Sequence, residues 1–158
     1  MIKNTTRNQK LGWVLFLAYL ALLVYFLFFA ESLGRDMTQR GYAYNLELFK
    51  EIRRFYTYRN KLGFEAFFLN VFGNVIAFMP CGFFLPIVSR RSRKWYNAIL
   101  LCFGLSLCIE ITQLLFRVGS FDVDDLFLNT LGGTTGYIIY RIVQKIRIRR
   151  KLNGRTQV

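Results

Sequence analysis

The residues of this chain that could do chemistry are acids and carboxamides set inside apolar sequence. Glu110 and Gln113 close one apolar run, and Asp122, Asp124, Asp125 and Asn129 open the next. Asn70 and Asn74 stand one turn apart near the start of an earlier run. Such groups are costly in an apolar setting, so each needs a partner or a job. A carboxylate pair drawn from Glu110, Asp122 and Asp125 could serve as general acid and base, one pKa raised by burial. The same oxygens with Asn129 could hold a hard divalent cation such as Mg²⁺ or Ca²⁺. Carboxylates and amides also suit the sugar hydroxyls, amides or cationic amine of a bound molecule.

The rest of the composition narrows these options. The chain has no His, which removes imidazole catalysis and histidine metal ligation. Cys81, Cys102 and Cys108 are an odd set without CxxC spacing, which reads as small apolar packing and not as a zinc site or disulfide framework. No nucleophilic Ser, Cys or His arrangement is visible. No resident cofactor or metal site is expected, with a divalent cation at the acidic cluster the one alternative.

The elements that must position these groups are transmembrane helices. Of 158 residues, 54% are hydrophobic. They cluster in four runs, about 12–30, 67–88, 95–116 and 124–143, each long enough to cross a hydrocarbon layer of about 30 Å. The expected fold is all-α, a polytopic membrane four-helix bundle and a single domain over 1–158. Residues 1–30 read as an uncleaved signal anchor, because Phe28 stands where a small residue should precede cleavage after Ala30. In the long loop 31–66, Leu46, Phe49, Ile52, Phe55 and Tyr56 recur at helical steps opposite Glu47, Lys50, Glu51, Arg53 and Arg54. That pattern fits a short amphipathic helix, lying in the membrane interface or packed on the bundle.

Charge sets the orientation. The N-terminus, the 89–94 loop and the tail at 144–158 with Arg141 hold most of the Lys and Arg and none of the nine acids. The positive-inside rule therefore puts both termini in the cytoplasm. The net charge of +13 is read as a topology anchor that attracts anionic lipid, not as a nucleic-acid surface.

With this topology, the polar residues of three helices fall at one level, about 5–10 Å beneath the outer boundary. Asn70 with Asn74, Glu110 with Gln113, and Asp122 with Asp125 and Asn129 form three faces that could line an outward-facing pocket. Gly132 and Gly136 continue the last face as a GxxxG step, so it is also a packing face. Blander roles stand beside this one. Asp122 and Asp125 have the spacing of an N-cap and N3 pair. Asn70 and Asn74 could simply tie helices together. Arg117 could pair with the acids or anchor at the interface. Glu110 should be protonated or hydrogen-bonded at neutral pH.

The segments NVFGNVIAFMPCGFFLP, EITQ and FDVDDLFLNTLGGTTGY resemble the VanZ-like membrane proteins. The shared positions are Asn70, Asn74, Phe78, Pro80, Gly82, Glu110, Gln113, Asp122, Asp125, Asn129, Gly132 and Gly136. A weaker piece is Asn45-Leu46-x-x-Phe49, where Leu48 replaces the proline usual in that family. Many members carry Arg at about Gly119 or Ser120, whereas this chain has Arg117. The resemblance implies a cell-envelope role in a Gram-positive-type bacterium, linked to resistance to teicoplanin or lipoglycopeptides. The implied partners are a membrane lipid, a lipid-linked wall precursor or the antibiotic itself. Three functions are weighed: a binding or shielding protein, a carboxylate membrane enzyme acting on a lipid-linked substrate, and a transporter. The last is disfavoured because no second inverted repeat is present.

Overall fold

The structure is a computed structural model that describes residues 7–26, 42–58 and 64–153. It is mostly helical. Helix α1 spans Arg7–Tyr25, β1 is Tyr44–Asn45, α2 is Lys50–Thr57 and α3 is Phe64–Val88. A 3-10 turn at Arg91–Arg93 leads to α4, Trp95–Phe116; β2 is Phe121–Asp122 and α5 is Val123–Asn153. The end of the first expected span, 27–30, lies outside the described residues.

Among the described residues, two helices are long and apolar enough to cross a membrane, through the windows Val71–Val88 and Trp95–Phe116. Only 28% of each window is buried. The core helix of a water-soluble protein would be mostly covered. Here Leu100, Leu115 and Phe116 point outward, 63–72% exposed, which suits lipid. Helix α1 contributes a shorter apolar stretch, Gln9–Tyr25. Helix α5 is less apolar because it carries Asp124, Asp125 and the basic run from Arg141 on, and the face it buries holds Asn129, Gly132, Gly133 and Gly136.

That face explains the packing. Helix α5 packs most extensively on α3, then on α4, while α1 lies against α3. A Cβ on Gly136 would sit 1.9 Å from the Met79 carbonyl oxygen, and one on Gly132 2.2 Å from that of Val75. From the other side, a Cβ on Gly82 would meet the Gly133 carbonyl oxygen at 1.8 Å. No other residue permits this approach, so glycine on both helices sets the α3–α5 distance. The buried core of Phe16, Leu23, Phe78, Cys81, Leu85, Cys102 and Ile109 fills the space among α1, α3 and α4. Cys81 and Cys102 touch there as thiols, Sγ to Sγ 3.5 Å, and both are free cysteines. The Tyr19 hydroxyl ties α1 to the Ala77 carbonyl at 2.8 Å.

Two features depart from the all-α expectation. First, β1 and β2 pair in parallel, Tyr44 opposite Phe121 and Asn45 opposite Asp122. This two-residue ladder fastens the segment before α2 to the turn before α5. Second, α5 does not end near Val143. It continues to Asn153, about 46 Å at 1.5 Å per residue, so residues expected as a tail are helical.

Candidate functional site

The site is built where β1, α2, α3 and α4 meet the start of α5. Asp122 is the N-cap of α5: its Oδ1 accepts the Asp124 amide N–H at 2.8 Å. In a capping box the residue at N3 would reach back to the N-cap amide. Asp125 holds that position, but the acceptor comes from another helix. Glu110 on α4 takes the Asp122 N–H on Oε2 at 2.9 Å. Glu110 is therefore buried and hydrogen-bonded, 2% exposed. The two residues are joined through the Asp122 backbone N–H.

Asp122 Oδ1 also accepts from Asn45 Nδ2 at 3.1 Å, across the β1–β2 ladder. Asn45 in turn accepts the Glu47 N–H at 3.2 Å, an Asx turn that bends the chain toward α2. Burial pushes the Asp122 carboxyl above the ordinary carboxylate range; the Asp124 N–H, the Asn45 amide and nearby Arg54 oppose that shift.

Asp124 does the work that periodicity did not assign. It is 1% exposed. Its carboxylate accepts the Phe49 N–H on Oδ1 and the Ile52 N–H on Oδ2, the latter at 3.3 Å. Phe49 is the N-cap of α2, in the left-handed region at φ 65°, and has no side-chain cap of its own. A carboxylate on α5 thus caps α2 from outside, where the helix dipole favours negative charge. The Phe49 ring packs edge-on to Phe127 at 5.4 Å. The amphipathic helix expected at Leu46–Tyr56 is therefore α2, packed on α3 and α5 and clamped by Asp124. The missing local cap was the one sequence signal for this role, because an uncapped helix start needs a donor-satisfying group from elsewhere.

The remaining expected residues fall nearby. Asn74 Nδ2 donates to Asp125 Oδ1 at 2.5 Å, joining α3 to α5. One turn deeper, Asn129 Nδ2 donates to Ser106 Oγ on α4 at 2.9 Å. Asn129 is 3% exposed, and its Oδ1 finds no donor among the described residues. Gln113 is buried beneath Gly119. Asn70 lies on α3, but its side chain is outside those described. Among the described residues, no three His, Cys, Asp or Glu side chains gather as a metal-binding group.

Arg117, expected to pair with the acids or to anchor at the interface, lies against the Tyr42 ring. It ends α4 at φ 54°. Its N–H bonds the Leu114 carbonyl, and the Val118 N–H bonds that of Gln113, at 3.2 and 3.1 Å. That is a Schellman turn with arginine where glycine is usual. The guanidinium lies over the Tyr42 ring, 4.4 Å from its centroid. The turn therefore delivers β2 to β1 while Arg117 holds the incoming strand.

The VanZ/LLP1 family profile matches residues 16–144, a stretch that includes every group described above. Protein VanZ of Enterococcus faecium is 33% identical over 86 residues, which cover 54% of this chain and 53% of that protein. The chain thus spans about half the length of this curated relative. No solved structure matches. With a match across most of its length, the chain belongs to the VanZ/LLP1 family.

Proposed function

We propose that this chain is a multi-pass envelope membrane protein whose polar end binds or shields an amphiphile at the outer leaflet. Helices α1, α3, α4 and α5 form the four-helix bundle, with both termini cytoplasmic by the charge bias. The observation that carries this reading is the gathering of Asn45, Asn74, Glu110, Asp122, Asp124 and Asp125 under one clamped segment. That segment presents exposed Tyr42, Tyr44, Tyr56 and Tyr58 beside α2. Aromatic rings of this kind sit well at a membrane–water boundary. Hydrogen-bonding capacity persists one turn below, at the Asn129 amide oxygen.

The chemistry suits a headgroup with hydroxyls, amides or an amine: a lipid-linked wall precursor, a lipid headgroup, or a glycopeptide such as teicoplanin. Family membership supports the link to glycopeptide resistance. Glu110, Gln113, Asp122 and Asp124 shape the site, while Asn74, Asp125 and Asn129, with Asn70, contact the ligand.

The test is a titration of purified chain in nanodiscs with a labelled lipid-linked precursor or with teicoplanin. Asp125→Asn and Asn129→Ala should lower affinity about tenfold while the protein stays folded and membrane-inserted. Unchanged binding and unchanged resistance in cells expressing folded variants would overturn the reading. Turnover of the labelled precursor would replace binding with catalysis.

A further inference from the structure

The opposite end of α5 carries a second feature, with no acid among the described residues that line it. A groove of about 860 Å³ opens beside α5, lined by Arg93, Arg141, Lys145, Ile138, Ile142 and Ile148 among others. Beside these residues on α5, Tyr137 is buried, 5% exposed. The Tyr137 hydroxyl donates to the Arg93 carbonyl at 2.7 Å and accepts from Arg141 Nη1 at 3.3 Å. One buried hydroxyl thus joins the Arg93 backbone in the 3-10 turn to the Arg141 guanidinium on α5, and both residues line the same groove. Like charges held together call for an anion. No carboxylate lines the groove among the described residues, and no Asp or Glu occurs from Ala66 to Ile109 or beyond Asp125. Asp125 itself is sixteen residues up α5 from Arg141, about 24 Å along the axis.

The groove has a second, apolar wall. Ile138 and Ile142 are one turn apart and 52% and 53% exposed. They run beside the Arg141–Lys145 row in the same groove. Exposed isoleucines next to cations fit acyl chains next to a phosphate, whereas a nucleic acid would leave them wet.

We propose that this groove is a binding site for one anionic phospholipid. Its phosphate lies among Arg93, Arg141 and Lys145, and its acyl chain runs along Ile142 and Ile138. The inference rests on α5 crossing the membrane and is independent of any ligand at the acidic end.

The test places purified full-length chain in phosphatidylcholine nanodiscs with or without phosphatidylglycerol in both leaflets, so orientation does not matter. Native mass spectrometry reads the retained lipid. The wild type should retain phosphatidylglycerol over phosphatidylcholine. Preference should fall about fivefold for each groove cation changed to Ala and about 100-fold for all three. The matched triple Arg147→Ala, Arg149→Ala and Arg150→Ala removes equal charge outside the groove and should leave retention unchanged. Equal loss in both triples would mean diffuse attraction and overturn the site. Full competition by glycerol phosphate, which lacks chains, would overturn the lipid assignment. Loss of teicoplanin or precursor binding alone would bear on the acidic end and leave this inference standing.

Discussion

The two ends of α5 handle charge in opposite ways. At its start, Glu110, Asp122 and Asp124 are buried, and each accepts a backbone N–H, Glu110 and Asp124 from another segment and Asp122 from the first turn of α5 itself. At its far end, Arg93, Arg141 and Lys145 line an open groove with no carboxylate. The difference teaches which charges build the molecule and which remain for a partner. A buried carboxylate that satisfies helix-start amides contributes to the fold, and its loss strands donors. An exposed cation without a counter-ion contributes little to stability and is free to meet an anion.

The sharpest way to break this contrast is at Asp124. Asp124→Ala leaves the Phe49 and Ile52 amides without their acceptor and should cost about 2–4 kcal/mol. Thermal unfolding in detergent measures it, and a loss below that of a surface mutation would blur the two ends. Next in size is the seam that joins them. Gly136→Ala drives a methyl into the Met79 carbonyl and should cost about 1–3 kcal/mol by overpacking. Gly104→Ala, which meets nothing within 4 Å, should be close to neutral in the same assay.

A smaller effect separates the acids among themselves. The pKa of Asp122 is raised by burial in the folded state. A raised carboxyl contributes stability that is full below its unfolded pKa and lost as pH rises through the folded one. Over that window the wild type should lose stability relative to Asp122→Asn as pH rises, measured by unfolding both proteins across a pH series. A relative gain would reverse the assigned sign. Smallest of all, Arg141→Ala with Lys145→Ala should change stability by no more than about 0.5 kcal/mol.

How much of this was legible depended on whether the signal was periodic. Helix α4 occupies Trp95–Phe116, the bounds the apolar run announces. Gly132 and Gly136 announce close packing by their spacing, and α3 lies against both. Of the stripe Asp122, Asp125, Asn129, the side chains of the last two reach α3 and α4, and that of the first reaches β1. The same stripe left out Asp124, which points to α2, because a period within one helix says nothing of a segment joining from outside. The β1–β2 pairing links residues 77 apart through two positions each, and so short a pairing has no pattern to read. Asn45 stood out only through the family resemblance. Residues 144–153 looked like a tail because topology was read from their charge. Yet Ile146, Ile148 and Leu152 continue a helical chain, and long cationic side chains are good helix formers.

The central claim is that carboxylates at the start of α5 fix α2 and its flanking strand over the helix ends. Amide hydrogen exchange across residues 49–57, in nanodiscs, tests it most directly. Asp124→Ala should speed exchange there by about 10–100-fold, the equivalent of one or two lost buried acceptors, while the Arg141→Ala and Lys145→Ala pair leaves it unchanged. Equal protection in wild type and Asp124→Ala would contradict the account.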